Sequence, residues 1–311
     1  MTGFPLTPLL VATALSLHGL KKKSLSPSGS LAAFAIGFLM LASPLRVFGV
    51  SLIVFYLTGS RATKYGKTLK MTLEDGFQEA GYRTAWQVLC NSFSAFVAAV
   101  IWSVLFAPGS IPRAVASYAG LEADTLPYTS EGWCPLSPRM DNGASRALLF
   151  AVLGHFACCC GDTLASELGI LSPTKPILIT TLKTVPPGTN GGMSLGGTLA
   201  SLVGGLIMGV TVFVDLIVEN RECRGQWMHI VGPLVLWGIF AGGVGSLLDS
   251  FLGATVQRSR YSVDTKRVLQ DHSEHREGAD IKVISGMNIL TNNQVNLVSS
   301  IATSILLAKL A

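Results

Sequence analysis

Three carboxylates stand where this chain is otherwise apolar. Asp162 and Glu167 lie in GDTLASELG, directly after the apolar run from Ala147 to Cys160, and Asp249 sits alone in SLLDSFLGATVQ. Acids within or beside membrane segments are costly enough to be read as functional by default. Carboxylates set against phosphate oxygens hold Mg²⁺, which takes one or two such ligands plus substrate phosphates. On an unbroken helix the five-residue spacing separates Asp162 from Glu167 by about 140°, so the two meet at one ion only if the helix breaks; alternatively Asp162 caps a short helix through TLASELG. Arg61 and Lys64, in GSRATKYG, are three apart and share a helical face. They form either a cationic clamp on a phosphate or a pair that snorkels to the lipid interface.

The segment TVPPGTNGGMSLGG adds a different chemistry. Two prolines end regular helix at Val185 to Pro187, and the run Gly188, Thr189, Asn190, Gly191, Gly192 lets backbone N–H groups approach a ligand before a helix beginning near Ser194. A helix N-terminus of that kind suits an anion, with Lys183 as a nearby cation; the other reading is a hinge between two helices. Asn91 in VLCNS needs a hydrogen-bond partner, either structural or ligand, and Asn292 and Asn293 lead into the last apolar segment. His155 reads as a structural residue, and His272 and His275 as parts of a solvated loop.

The elements that must position these groups are membrane helices. Of the 311 residues 49% are hydrophobic and 13% charged, with a mean hydropathy of +0.50, far from a soluble composition. Apolar stretches recur at Phe4–Leu20, Ser28–Leu45, Val47–Ser60, Ala85–Ala107, Ala147–Gly161, Met193–Val218, His229–Ala254 and Val295–Leu310. The expectation is an all-α polytopic helix bundle, a single integral membrane domain over residues 1–311, of about eight spans, with a broken Pro/Gly-rich segment before the sixth. No signal or transit peptide is expected at the N-terminus. The loops on one side carry 16 of the 23 Lys and Arg residues, which makes that side cytosolic by the positive-inside rule and both termini lumenal. Residues 108–145 then form an irregular lumenal loop and 256–285 a charged cytosolic one. The net charge of +5 is thus a topology signal, and no nucleic-acid partner is expected. The six cysteines show no CxxC or Cys/His metal spacing; Cys158 to Cys160 read as packing or acylation residues. Small-residue spacing from Gly192 to Gly209 reads as close helix packing. Arg61, Lys64, the three acids, the glycine loop, Asn292 and Asn293 all fall toward the cytosolic face, while Asn91 lies inside the fourth segment.

The ordered set GSRATKYG, VLCNS, GDTLASELG, TVPPGTNGG, SLLDSFLGATVQ and NN resembles, over nearly the whole chain, the transmembrane protein 19 family, which also contains plant and cyanobacterial phytyl-phosphate kinases. The resemblance implies a multispan kinase that converts a polyprenyl monophosphate to the diphosphate, with Mg²⁺ and a nucleoside triphosphate such as CTP. Photosynthetic members often carry Trp where this chain has Leu164, and plant members begin with a plastid-targeting region. The implied substrate is therefore a farnesyl or geranylgeranyl phosphate, as in the animal-type branch, and the implied membrane the endoplasmic reticulum. On that reading Asp162, Glu167, Arg61 and Lys64 are catalytic, Asp162, Glu167 and Asp249 bind metal, and Lys183, the 188–192 loop, Asn91, Asn292 and Asn293 bind phosphate or substrate. The alternative is an ion-coupled transporter or channel using the same acids; such sites lie nearer the bilayer midplane. Oligomeric state stays open.

Overall fold

A computed structural model describes residues 4–75, 81–269, 273 and 280–310. The chain is mostly helical. Twelve α-helices occur among the described residues: α1 Leu6–Lys21, α2 Pro27–Leu41, α3 Val47–Lys64, α4 Lys67–Leu73, α5 Ala85–Cys90, α6 Phe93–Phe106, α7 Ile111–Tyr118, α8 Ala144–Gly169, α9 Leu195–Glu219, α10 Arg221–Gly225, α11 Trp227–Thr255 and α12 Asn292–Leu310. Their starts follow local chemistry. Ser26 accepts from Gly29 N ahead of Pro27 at the start of α2, Thr84 and Gln87 form a reciprocal capping box on α5, and Ser194 accepts from Gly197 N to open α9.

Each of the eight apolar segments falls on a helix, but the fourth is broken at Asn91 and Ser92 into α5 and α6. By length and composition α8 with its preceding turn, α9 and α11 can each cross a membrane, and α6 with α7, bent by 73°, would make a fourth crossing. α1 and α2 are apolar but have only 16 and 15 residues, short of the roughly 20 that a perpendicular span needs.

The centre of the bundle is α8, whose apolar window is 78% buried and which packs against α3, α6, α9, α11 and α12. Glycines draw α8, α9 and α11 together: a Cβ at Gly204 would lie 2.7 Å from the Gly161 Cα, and one at Gly205 2.2 Å from the Gly238 carbonyl oxygen. Backbones this close exclude any larger residue, the packing expected of small residues in membrane helices.

The two ends of the bundle differ. At one end Cys134 and Cys223 form a disulfide, the Asn220 amide donates to the Trp133 carbonyl at 2.9 Å, and Tyr128 and Trp133 stack edge-on against Trp102 and Phe106. Burial raises the Tyr128 hydroxyl to about 12. The stretch read as an irregular loop thus contains α7 and is pinned to the bundle. The Cys134–Cys223 pair was not legible in the sequence, where the two are 89 residues apart.

The other end carries strands that an all-α expectation omits. β1 Glu74–Asp75, β4 Ser259–Ser262, β5 Arg267–Leu269 and β6 Ile281–Ser285 form a sheet of order β1-β5-β4-β6, and β2 Ile177–Leu178 pairs with β3 Gly192–Met193. β1 lies parallel to β5, Glu74 opposite Val268, while β4 is antiparallel to both β5 and β6. Residues 256–285, read as a charged loop, supply three of these strands. Strands of two to five residues in a charged segment give too little alternation to be read. His272 and His275 lie outside the described residues.

Candidate active site

Helix ends, the loop before α9 and the segment before α5 enclose a cavity of about 660 Å³ at the end that carries the sheet. Among the described residues five charged side chains line it: Lys70, Arg83, Asp162, Glu167 and Asp249. Gly161, buried against Gly242 of α11, puts the next residue, Asp162, at the α8–α11 seam. Asp249 follows Gly242 by seven residues, two helical turns along α11. The two carboxylates are close enough to interact electrostatically. Asp249 Oδ2 accepts from Ser299 Oγ at 2.9 Å and, with the Asn296 amide turned to satisfy both of its contacts, from Asn296 at 3.3 Å. Asp162 has no hydrogen-bond donor among the described residues.

Glu167 faces the same cavity but is already engaged. Its Oε2 accepts from Lys70 Nζ at 2.6 Å and its Oε1 from Thr63 Oγ1 at 2.8 Å. α8 runs unbroken through both acids, so the 140° between them persists and Glu167 turns to α3 and α4 while Asp162 turns to α11. Among the described residues no three His, Cys, Asp or Glu side chains are placed to hold one metal ion. The set Asp162, Glu167 and Asp249 is thereby corrected to a pair, Asp162 and Asp249. Two carboxylates with neighbouring hydroxyl and amide oxygens are the donor chemistry that Mg²⁺ takes when phosphates complete its shell.

The cations also differ from those read in the sequence. Arg61 and Lys64 are exposed and outside the cavity lining, because the inward face of α3 is the one that carries Thr63, 100° from Lys64 and 200° from Arg61. The cations at the wall are Lys70 and Arg83. Lys70 is 1% exposed and donates to the carbonyls of Ala62 and Thr63 as well as to Glu167. Arg83 is fixed through its backbone, which exchanges hydrogen bonds with Ser24 and Ser26. Among the described residues its guanidinium has only long contacts, 3.4 Å each, to Ser60 Oγ and Thr63 Oγ1. Burial lowers its pKa, opposed by the charge of Glu167. No sequence signal separates these two from their neighbours: they are two of five cations between Arg61 and Arg83.

Gly188, Thr189, Asn190, Gly191 and Gly192 line the cavity, but much of the loop's hydrogen bonding is internal. Thr189 N donates to Pro186 O, Gly192 N to Thr189 O, and Asn190 N to Ser259 Oγ of β4. The N–H groups of Gly188 and Gly191 have no acceptor among the described residues. Gly191 has φ +75°, and a Cβ on it would lie 2.5 Å from the Ser250 carbonyl oxygen, so its glycine is required by contact with α11 whatever the ligand. At the start of α9 the Ser194 hydroxyl already takes Gly197 N. Lys183 is exposed and outside the lining. Asn91, Asn292 and Asn293 do line it; Asn91 Nδ2 donates to Gln87 O, closing α5. His155 is buried in α8, with Nδ1 2.7 Å from Ser94 Oγ, and Cys158, Cys159 and Cys160 are free and buried.

Known proteins give this arrangement a family. The protein PGR of Arabidopsis thaliana is 36% identical over 301 residues, 96% of this chain and 93% of that protein. An uncharacterised membrane protein of Methanocaldococcus jannaschii is 32% identical over 46% of this chain and 60% of its own length. The protein VTE6, chloroplastic, also of Arabidopsis thaliana, is 27% identical over 75% of this chain and 56% of its own. No solved structure matches the chain. The description "integral membrane protein DUF92" matches residues 10–304. With that match and a near full-length relative, the chain belongs to the DUF92 family of integral membrane proteins, the group its sequence motifs resemble.

Proposed function

We propose that this protein is a prenyl monophosphate kinase, transferring the terminal phosphoryl group of a nucleoside triphosphate such as CTP to a lipid monophosphate at the cytosolic membrane face. The observation that carries the reading is the Asp162 carboxylate, without a donor among the described residues, beside Asp249 in a cavity that also holds Arg83. The five charged groups on the wall among the described residues sum to −1, which repels two phosphorylated substrates until a divalent cation joins the acids. Mg²⁺ bound there would neutralise phosphate charge, the main demand of phosphoryl transfer.

The chain's own groups supply the remaining steps. A lipid monophosphate with a second pKa of about 6 is largely deprotonated at neutral pH, so its oxygen needs no general base. That oxygen forms the new bond to the terminal phosphorus of the triphosphate as the bridging P–O bond breaks, and the nucleoside diphosphate leaves with its electron pair. Arg83 offers a planar fork to phosphate oxygens. Gly188 and Gly191 offer backbone N–H groups, and Asn292 and Asn293 amides. Lys70 holds Glu167 in place and closes the end of α3.

Depth favours an enzyme over a transporter. Asp162 and Asp249 lie seven and six residues from the ends of long helices, about 10 Å, nearer an edge than the midplane. Taking all eight apolar segments as spans puts this edge on the Lys- and Arg-rich side. The disulfide at the other end suits an oxidising compartment such as the lumen of the endoplasmic reticulum. The test is phosphoryl transfer by purified protein from a labelled triphosphate to prenyl monophosphates, with and without Mg²⁺. Arg83→Lys should retain activity but raise the KM for a phosphorylated substrate about tenfold, one hydrogen bond to a charged group. Wild-type protein that transfers nothing to any prenyl phosphate would overturn the proposal.

A further inference from the structure

The cavity continues away from the charged chamber as an apolar arm between α1, α2 and α3. Thr63, Gly59, Tyr56 and Leu52 follow one another down α3, from the chamber into the bilayer, and from Thr63 to Leu52 the helix descends about 16 Å. Next to Leu52 on the wall, α2 presents Gly37, and α1 contributes Ala12.

Gly37 differs from the glycines of the helix seam. At Gly205 a Cβ would collide with backbone at 2.2 Å; at Gly37 its nearest neighbour would be Leu52 Cδ2 at 4.0 Å. Gly37 is buried within α2, where glycine costs about 1 kcal/mol relative to alanine, and packing gives no reason for it. The space its missing side chain leaves belongs to the arm.

We propose that the arm holds the single hydrocarbon chain of the phosphorylated lipid, and that Gly37 and Leu52, neighbours on its wall, set which chains fit. This rests on the proposed lipid phosphate reading and specifies its substrate. The physical reason is that a chain leaving the bilayer for the arm exchanges one apolar surrounding for another, so burial gives little preference for length. Selection among chains therefore falls to steric exclusion, and a bulky side chain in place of Gly37 would take up part of the arm.

The experiment compares wild type with Gly37→Ala, Gly37→Leu and Gly37→Phe. Transfer to geranyl, farnesyl and geranylgeranyl monophosphates is measured beside photo-crosslinking of a farnesyl monophosphate carrying a diazirine on its last isoprene unit. The expected result is a loss of at least tenfold in kcat/KM for the longest chain in Gly37→Phe, with less than a twofold change for the shortest and an unchanged profile in Gly37→Ala. The crosslink should map to α2 and α3 in wild type and disappear in Gly37→Phe. Transfer with a wild-type chain-length profile in Gly37→Leu and Gly37→Phe overturns the arm while leaving the kinase reading intact. If wild type transfers nothing, the kinase reading falls and the crosslink decides alone: label on α2 and α3 sustains the arm, and label elsewhere removes it.

Discussion

Replacing Lys70 with Met keeps much of the side chain's length and removes its charge at a site that is 1% exposed. The ammonium donates to Glu167 Oε2 at 2.6 Å and to the carbonyls of Ala62 and Thr63 at 2.9 and 3.3 Å. Those carbonyls belong to the last turn of α3, which lacks ordinary intrahelical partners and carries the negative end of the helix dipole. Breaking a buried ion pair from one side costs about 3–5 kcal/mol, chiefly through the charge left behind. The Glu167 side chain is 23% exposed, so part of that charge is solvated and the expectation falls at the lower figure, about 3 kcal/mol. At about 2–4 °C per kcal/mol for a larger domain, the midpoint of thermal unfolding should drop by roughly 6–12 °C. Cys158, Cys159 and Cys160 are free and buried, so the rate at which they react with a thiol dye on heating in detergent reports the transition without added labels. Adding Glu167→Gln to Lys70→Met should recover about half of the loss or more, since no charge is then stranded. A wild-type midpoint in Lys70→Met, or a double variant no more stable than the single one, would refute the pairing.

Asp162→Asn should abolish Mg²⁺-dependent transfer and weaken calorimetric Mn²⁺ binding at least tenfold without lowering the thermal midpoint, because Asp162 has no donor among the described residues to lose and Asp249 is relieved of a like charge; unchanged Mn²⁺ binding contradicts this. Gly205→Ala should destabilise by at least about 1–3 kcal/mol as α9 and α11 are forced apart, read as a lower unfolding midpoint, and a midpoint equal to wild type would contradict the close approach of α9 and α11. Replacing Cys134 and Cys223 together by Ser should cost up to about 4–5 kcal/mol for a loop of this length, and in sealed vesicles a membrane-impermeant reductant should reach the bond only from the side opposite Lys70. Reduction from the side of Lys70 would place the disulfide and the cavity on one face and sink the topology.

The sequence by itself determined the membrane class, the eight apolar helical segments and the break before Ser194. Those are local properties: runs of apolar residues, prolines that cannot continue a helix, serines and threonines that cap one. It also singled out Asp162 and Asp249, since an isolated acid in an apolar helix is conspicuous at any position. What it could not rank were the cations. Arg61, Lys64, Lys70 and Arg83 occupy one stretch, and only the rotation of α3 about its axis, set by packing on α8, turns Thr63 inward and Arg61 and Lys64 outward. Arg83 enters the site because Ser24 and Ser26 fix its backbone from 59 and 57 residues away. The glycine loop was legible as a loop, but its contacts with Ser250 and Ser259, which give Gly191 and Asn190 their places, come from residues far along the chain. The pairing of Asp162 with Asp249, and the commitment of Glu167 to Lys70, were decided by which helices pack together. A periodicity states which residues share a face of one helix; what that face meets depends on long-range contacts.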